Sequence, residues 1–288
     1  MKLLLHSINA MDLFSLGGDR AVHQESLTAS DIIDLGIRYP YLLHELCAFS
    51  ARHLANLNPD KARSYLHHAI TLQTRAVSLF NTSHVPITQE TCVPTLLFAT
   101  TLGHHVFTDT LSRRDGNDLE AFLLHFTQCL DTLQGVYIIF QEARPFWDES
   151  VLADILSQSA SLTSRRPVGN HCQRVAELVE SSSNLSGDEK KACNEAVRYL
   201  QVGFDALFSE HEEPGNQYQM LFLWCILVPK DFIVLLSRKS FEALVALGYY
   251  AVLLQHGRTM WQVENAGDYL LGLLQSYFDG KVEWDWSW

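Results

Sequence analysis

The chain is short of basic charge. Over 288 residues it carries 21 Lys plus Arg against 33 Asp plus Glu, a formal net charge of −12. A nucleic-acid surface needs a basic stripe against phosphates, and docking on anionic lipid needs one too, so the composition opposes both. Cysteine pairs are missing. Cys47, Cys92, Cys129, Cys172, Cys193 and Cys225 are scattered, whereas a disulfide framework or a zinc knuckle needs them clustered. The reading is reduced thiols in an intracellular protein. No apolar run approaches the ~20 residues that a bilayer-spanning helix needs. The opening Met1-Lys2-Leu3-Leu4-Leu5 is broken by His6 and Ser7, too early for the apolar part of a secretion signal.

Catalytic signatures are equally sparse. There is no Gly-rich phosphate loop and no Gly-x-Ser-x-Gly elbow. His44-Glu45 begins a zinc-protease motif, but Ala48 stands where the second His belongs. His67-His68 and His104-His105 are neighbours in sequence, and on a helix neighbours diverge by about 100°, so neither pair chelates as such. A class I terpene cyclase needs two magnesium motifs; Asp31-Ile-Ile-Asp34 is too thin and the acids from Asp115 to Asp118 fall in a turn. No metal and no cofactor is expected.

What the chain has in quantity is apolar helix. Hydrophobic residues make up 47%, and no alternating strand pattern or fixed-period repeat stands against them. Phe241 to Leu254 holds a single charge, Glu242. A helix apolar on nearly every face must be enclosed by others, so 241–256 is expected at the centre. Around it the breaks are well marked. Gly17-Gly18-Asp19, Tyr39-Pro40, Asn58-Pro59-Asp60, Arg113 to Asp118, Glu212-Glu213-Pro214-Gly215 and Pro229 interrupt helical periodicity. Thr28 with Asp31, and Ser186 with Glu189, have capping-box spacing. Tyr41 to Leu57 and the stretch to Phe80 read as an antiparallel hairpin, with Asn58 capping the second helix and Leu66, Ala69, Ile70, Gln73, Ala76, Val77 and Phe80 inward. The expected fold is all-α: roughly ten antiparallel helices in a layered bundle, one domain over 1–288, with a mobile Ser-rich connection near 157–187.

Several segments, in this order, carry a resemblance. They are Tyr41 to Ala55, Tyr65 to Phe80, Leu133-Gln-Gly-Val136 followed by Trp147, Tyr249 to His256 followed by Trp261, and the Trp-rich end. Together they resemble the C-terminal regulatory domain of fungal zinc-cluster transcription factors of the sterol-sensing type, over nearly the whole chain. The resemblance implies a ligand-sensing domain with a hydrophobic pocket for a sterol-like or other apolar molecule, frequent homodimerisation, residence in nucleus and cytoplasm, and a DNA-binding zinc cluster ahead of Leu3 in the native protein. This chain itself would touch neither DNA nor membrane. The implied pocket is lined by Phe98, Thr101, Val136, Tyr137, Phe140, Trp147, Trp224, Tyr249, Tyr250, Leu253 and Trp261. The alternative is a stand-alone enzyme of secondary metabolism reusing the pocket for cyclisation or isomerisation, with His104, His105 and Asp109 in proton transfer. A third reading is a scaffold whose helices only dimerise. Trp284, Trp286 and Trp288 alternate with polar residues and are expected to fold back near Trp261 as a lid.

Overall fold

The computed structural model describes residues 2–9, 28–114, 116, 118–146, 152–212 and 216–279. The capping tail at 284–288 and Trp147 of the expected pocket lie outside these. The described residues are all-α, with thirteen α-helices and no strand, a layered helical bundle as the periodicity predicts. In chain order they are α1 Lys2–Asn9, α2 Ala29–Arg38, α3 Pro40–Leu57, α4 Ala62–Ser83, α5 Cys92–Ser112, α6 Leu119–Ala143, α7 Ala153–Ser164, α8 Gln173–Ser181, α9 Gly187–Phe208, α10 Gln219–Leu227, α11 Lys230–Ser237, α12 Phe241–His256 and α13 Ala266–Phe278. No single described helix is long and apolar enough to cross a membrane.

The helices gather into two compact units, and the division falls inside α5, α6 and α7. The first unit holds 2–9, 28–106, 135–146 and 152–160. The second holds 107–114, 116, 118–134, 161–212 and 216–279.

In the first unit the enclosed element is α3, which α1, α2 and α4 all pack against. Its start is set by Pro40 at the first position, where a missing N–H costs nothing. Leu42 and Phe49 are wholly buried, and each such side chain is worth roughly 1.5–3 kcal/mol of transfer from water. The turn to α4 works differently from expectation. Asn58 donates from its side chain to the carbonyl of Leu54 at 2.9 Å, so it closes α3, and a 3₁₀ turn over Pro59–Lys61 leads into α4. Along α4, Ala69 and Ala76 are buried, and Val77, Leu79 and Phe80 pack against the cluster that holds Tyr41, Leu42 and Leu46 of α3. Leu66 and Ile70, expected inward, are exposed, Ile70 to 60%. His84 ends α4 in the left-handed conformation, at φ 43°.

In the second unit α12 is enclosed. All of Glu242 to Leu254 is buried, and α8, α9, α10, α11 and α13 pack around it. Glu242 is a charge brought inside on this helix. Its carboxylate accepts from the Ser182 and Ser240 hydroxyls at 2.5 and 2.7 Å, and those bonds set its pKa lower than usual against the opposing pull of burial. Two glycines set the packing distance. A Cβ at Gly203 would press on Leu253 and Met220, and a Cβ at Gly267 would lie 2.5 Å from the Ala251 carbonyl oxygen. The Ser-rich stretch 157–187 contains the end of α7, all of α8, and Cys172, Val175, Val179 and Leu185 as buried residues. Its loop ahead of α8 is pinned to α9: the Asp205 carboxylate accepts the backbone N–H groups of Val168 and Gly169 at 2.7 and 3.0 Å and the Gln201 amide at 2.7 Å, while Gln201 accepts the N–H of Cys172 at 2.7 Å. Ser186 and Glu189 close the predicted capping box of α9, as Thr28 and Asp31 do for α2.

Candidate functional site

The expected pocket residues fall in both units. In the second unit, Trp224 of α10 and Tyr250 of α12 stack face to face, ring centroids 4.2 Å apart, both fully buried. Buried Trp and Tyr need partners for their polar ends. Here both are supplied by the protein: Trp224 Nε1 donates to the Ala196 carbonyl at 3.0 Å, and Tyr250 donates to the Leu221 carbonyl at 2.6 Å with Cys225 Sγ 3.1 Å away. Tyr249, next in sequence, points about 100° away round the helix and feels Cys172 and Arg174 rather than Trp224. Leu253 fills the notch that Gly203 leaves in α9. Trp261 is half-buried in the turn between α12 and α13. Trp224, Tyr250 and Leu253 thus pack in the core around α12.

Burial keeps the thiols near them protonated. Burial lifts Cys129 to about 12, Cys193 to about 12, and Cys172 and Cys225 well above the ordinary thiol value. Burial likewise takes Tyr249 to about 12. A thiolate is what attacks or binds metal, so protonated buried thiols do neither. Among the described residues no three His, Cys, Asp or Glu side chains converge as a metal set. His44 is occupied locally, its Nδ1 2.7 Å from the Pro40 carbonyl.

The first unit is built differently. Tyr41, Glu45 and Phe49 stand four apart on α3 and so form one stripe. Thr95, Phe98, Leu102 and His105 make the matching face of α5. Tyr41 packs edge-on against Phe98 at 5.2 Å and against Phe80 of α4 at 5.3 Å. Further along both helices Glu45 meets His105, Oε1 to Nδ1 at 2.9 Å, with both side chains at 0% exposure. Phe49 lies beside this pair, its ring 5.7 Å from that of His105 and 6.4 Å from that of His104.

This seam is polar where the surrounding cluster of Leu42, Leu46, Ala76 and Phe98 is not, and its hydrogen bonding is incomplete. Glu45 Oε2 is buried with no hydrogen-bond partner among the described residues. The Tyr41 and Thr95 hydroxyls adjoin one another without a bond of normal geometry, and burial pushes the Tyr41 hydroxyl above its usual pKa. Each buried polar group left this way costs about 1–3 kcal/mol. The seam therefore has hydrogen-bonding capacity to offer inside an apolar enclosure, which the Trp224–Tyr250 stack does not.

Of the expected pocket residues in this unit, Phe98 is a wall of the seam. Thr101 is buried, but its hydroxyl is turned back onto the Leu97 carbonyl at 2.7 Å. Phe140 belongs to a separate cluster with Cys92, Leu96, Ala143 and Leu156. Val136 is buried and Tyr137 half-buried on α6. His105, named for proton transfer, has Glu45 as its buried neighbour, and His104 is buried with its ring 6.4 Å from that of Phe49. Asp109 falls in the second unit. Sequence reasoning passed over Tyr41, Glu45 and Phe49. The signal was present: a carboxylate at the middle of an i, i+4, i+8 stripe that is otherwise aromatic. No protein-family model matches the chain, and no curated protein matches it.

Proposed function

We propose that this chain is a ligand-sensing regulatory domain of the fungal zinc-cluster transcription-factor type, taking up an apolar small molecule that carries a polar group. In this reading the ligand is sterol-like, the domain acts as a homodimer in nucleus and cytoplasm, and DNA is contacted by a zinc cluster elsewhere in the native protein. Two things support it: the order of helical motifs from Tyr41 to Trp261, and the acidic balance, which disfavours phosphate contacts. The observation that carries it is the α3–α5 seam, where buried Glu45 Oε2 has no hydrogen-bond partner among the described residues and Phe49 lies beside the Glu45–His105 pair. Apolar pockets with a few convergent polar groups are the usual form of a small-molecule site.

The test is extraction of the purified protein and mass spectrometry of the extract. An apolar molecule bearing a hydroxyl or amine, near one per chain, is expected from the parent, and is expected to be missing from Glu45→Leu. A parent protein that carries none and binds no sterol in titration overturns the reading, as does tight binding of duplex DNA by this chain alone at moderate salt.

The Glu45–His105 contact also supports the enzymatic reading, since a carboxylate that orients an imidazole is how general bases are built. Turnover of an apolar substrate that disappears in His105→Gln, with the fold intact, would favour it over sensing.

A further inference from the structure

The chain is acidic overall, at a formal net charge of −12, yet Lys61 to Gln89 contains no Asp or Glu. It is the longest such stretch, bounded by Asp60 and Glu90, and α4 fills most of it. Lys61, Arg63 and Arg75 supply its fixed positive charge. His67, His68 and His84 lie in the same stretch, and all six side chains are exposed. Among the described residues none of the three cations forms an ion pair with a carboxylate.

Two aliphatic side chains stand among these charges. Arg63, Leu66, His67, Ile70 and Thr74 recur at three- and four-residue spacing, so they share one side of the helix, and all are exposed. Ala69 and Ala76 mark the buried side. Arg75 and His68, also exposed, border the outer one. The Thr71 and Thr74 hydroxyls donate back to the His67 and Ile70 carbonyls at 2.8 Å, which leaves the charged groups as what this surface extends to a partner. We propose that the outer face of α4 docks an acidic amphipathic helix of a partner protein, with Leu66 and Ile70 against its apolar stripe and Arg63 and Arg75 against its carboxylates.

Charge selects the partner. This face has the sign opposite to that of the whole chain, so an acidic segment is drawn here and repelled elsewhere. Shape selects a helix. Leu66 and Ile70, one turn apart on a convex surface, match apolar residues at the same spacing on a second helix laid alongside. A nucleic acid fits less well, because three fixed cations spread along α4 fall short of the dense basic stripe it needs and the net charge of −12 opposes its approach. An anionic bilayer takes up a helix by a wide apolar face, and of the large aliphatic residues of α4 only Leu66 and Ile70 are exposed, with Leu72, Val77 and Leu79 half-buried.

The experiment titrates the full chain with a fluorescent peptide of about 18 residues, above the marginal length for a helix. It carries leucines along one face and Glu and Ala elsewhere, and its twin has the same composition in scrambled order. The patterned peptide is expected to bind about tenfold or more tightly than the twin, and to weaken as salt rises. Amide chemical-shift changes in the parent chain are expected along α4, centred on Arg63 to Thr74. Arg63→Glu/Arg75→Glu and, separately, Ile70→Gln should each weaken binding by about tenfold with unchanged melting. The shift footprint is read on the parent, so it decides the location whatever the variants do to stability. Equal binding of the two peptides overturns the proposal, as do variants that bind like the parent or a footprint on Lys190, Lys191 and Arg198 of α9 instead. Tighter binding to phosphatidylserine vesicles or to duplex DNA than to the patterned peptide overturns it in favour of those surfaces. A parent dimer that falls apart in Ile70→Gln overturns it in favour of a second copy of this chain.

Discussion

Gly267 of α13 sits so close to Ala251 of α12 that a methyl group there would be 2.5 Å from the Ala251 carbonyl oxygen and 2.6 Å from the Gln255 backbone nitrogen. Backbone cannot turn aside as a side chain can. Gly267→Ala should therefore force the helices apart and cost about 1–3 kcal/mol, in line with overpacking elsewhere. Gly272, on the same helix, is exposed and has nothing within 4 Å of its missing Cβ. Gly272→Ala should stabilise by about 0.5–1 kcal/mol, since alanine is the better helix former. Denaturant unfolding of the two variants should move the midpoint in opposite directions. If both lower it, the close approach is not what Gly267 serves.

The Glu45–His105 pair should behave asymmetrically under substitution. Removing one partner leaves the other buried without its bond, so Glu45→Ala or His105→Ala should each cost about 3–5 kcal/mol. Replacing both by leucine removes the stranded group, and the Glu45→Leu/His105→Leu chain should lie closer to the parent than either single variant does. A double variant whose loss equals the sum of the two single losses would show that the two groups do not act together.

Alkali should weaken the second unit through its thiols. Cys129 is pushed by burial to about 12, from an ordinary value near 9. A group whose pKa is raised by folding contributes stability that is intact below its unfolded value and is lost as pH rises toward its folded one. Between pH 9 and 12 the unfolded chain ionises and the folded one does not, so each such fully buried thiol costs about 1.4 kcal/mol per pH unit. Urea midpoints measured at pH 8, 9.5 and 10.5 should fall progressively, and Cys129→Ala should flatten the last part of the curve. In the native state at pH 8, an aromatic disulfide reagent should titrate Cys47, which is half-buried, well ahead of the other five.

His84 closes α4 with φ at 43° and ψ at 36°, a conformation that costs a side chain about 1–2 kcal/mol and glycine much less. His84→Gly should raise the melting temperature, with His84→Val lowering it. Equal melting of all three would mean that the end of α4 frays before the unit unfolds.

How much of this was written in the sequence varies by helix. α12 was legible because one charge in fourteen residues leaves no solvent face to choose. The capping boxes at Thr28 and Ser186 were legible because they are local, complete within four residues. α3 was harder. Most of it is buried, yet Glu45, Ser50, Arg52 and His53 give it the composition of a half-exposed helix, and nothing in the spacing says that those groups are inside. The first half of α4 misled in the other direction: Leu66 and Ile70 lie at helical spacing with Ala69 and Ala76, but Ala69 and Ala76 are buried while Leu66 and Ile70 face out. Of the expected pocket, the aromatic content of α10 and α12 was real, while its use in packing depends on carbonyl partners at Ala196 and Leu221, 28 and 29 residues away in the chain. The seam depends on pairing across 60 residues, between Glu45 and His105. Periodicity speaks to which face of a helix is covered, and is silent about which helix covers it.

The Asp205 clamp has a kinetic consequence. One carboxylate holds the amides of both Val168 and Gly169 and is itself steadied by Gln201, and a Cβ at Gly169 would overlap it, so a side chain there would push Asp205 aside. With a shared acceptor the two amides have no separate ways to open. Their exchange with solvent should converge on one rate, the rate at which Asp205 lets go, and in Asp205→Asn that common rate should rise together at both positions, speeding trypsin cleavage of the Arg165–Arg166 bond.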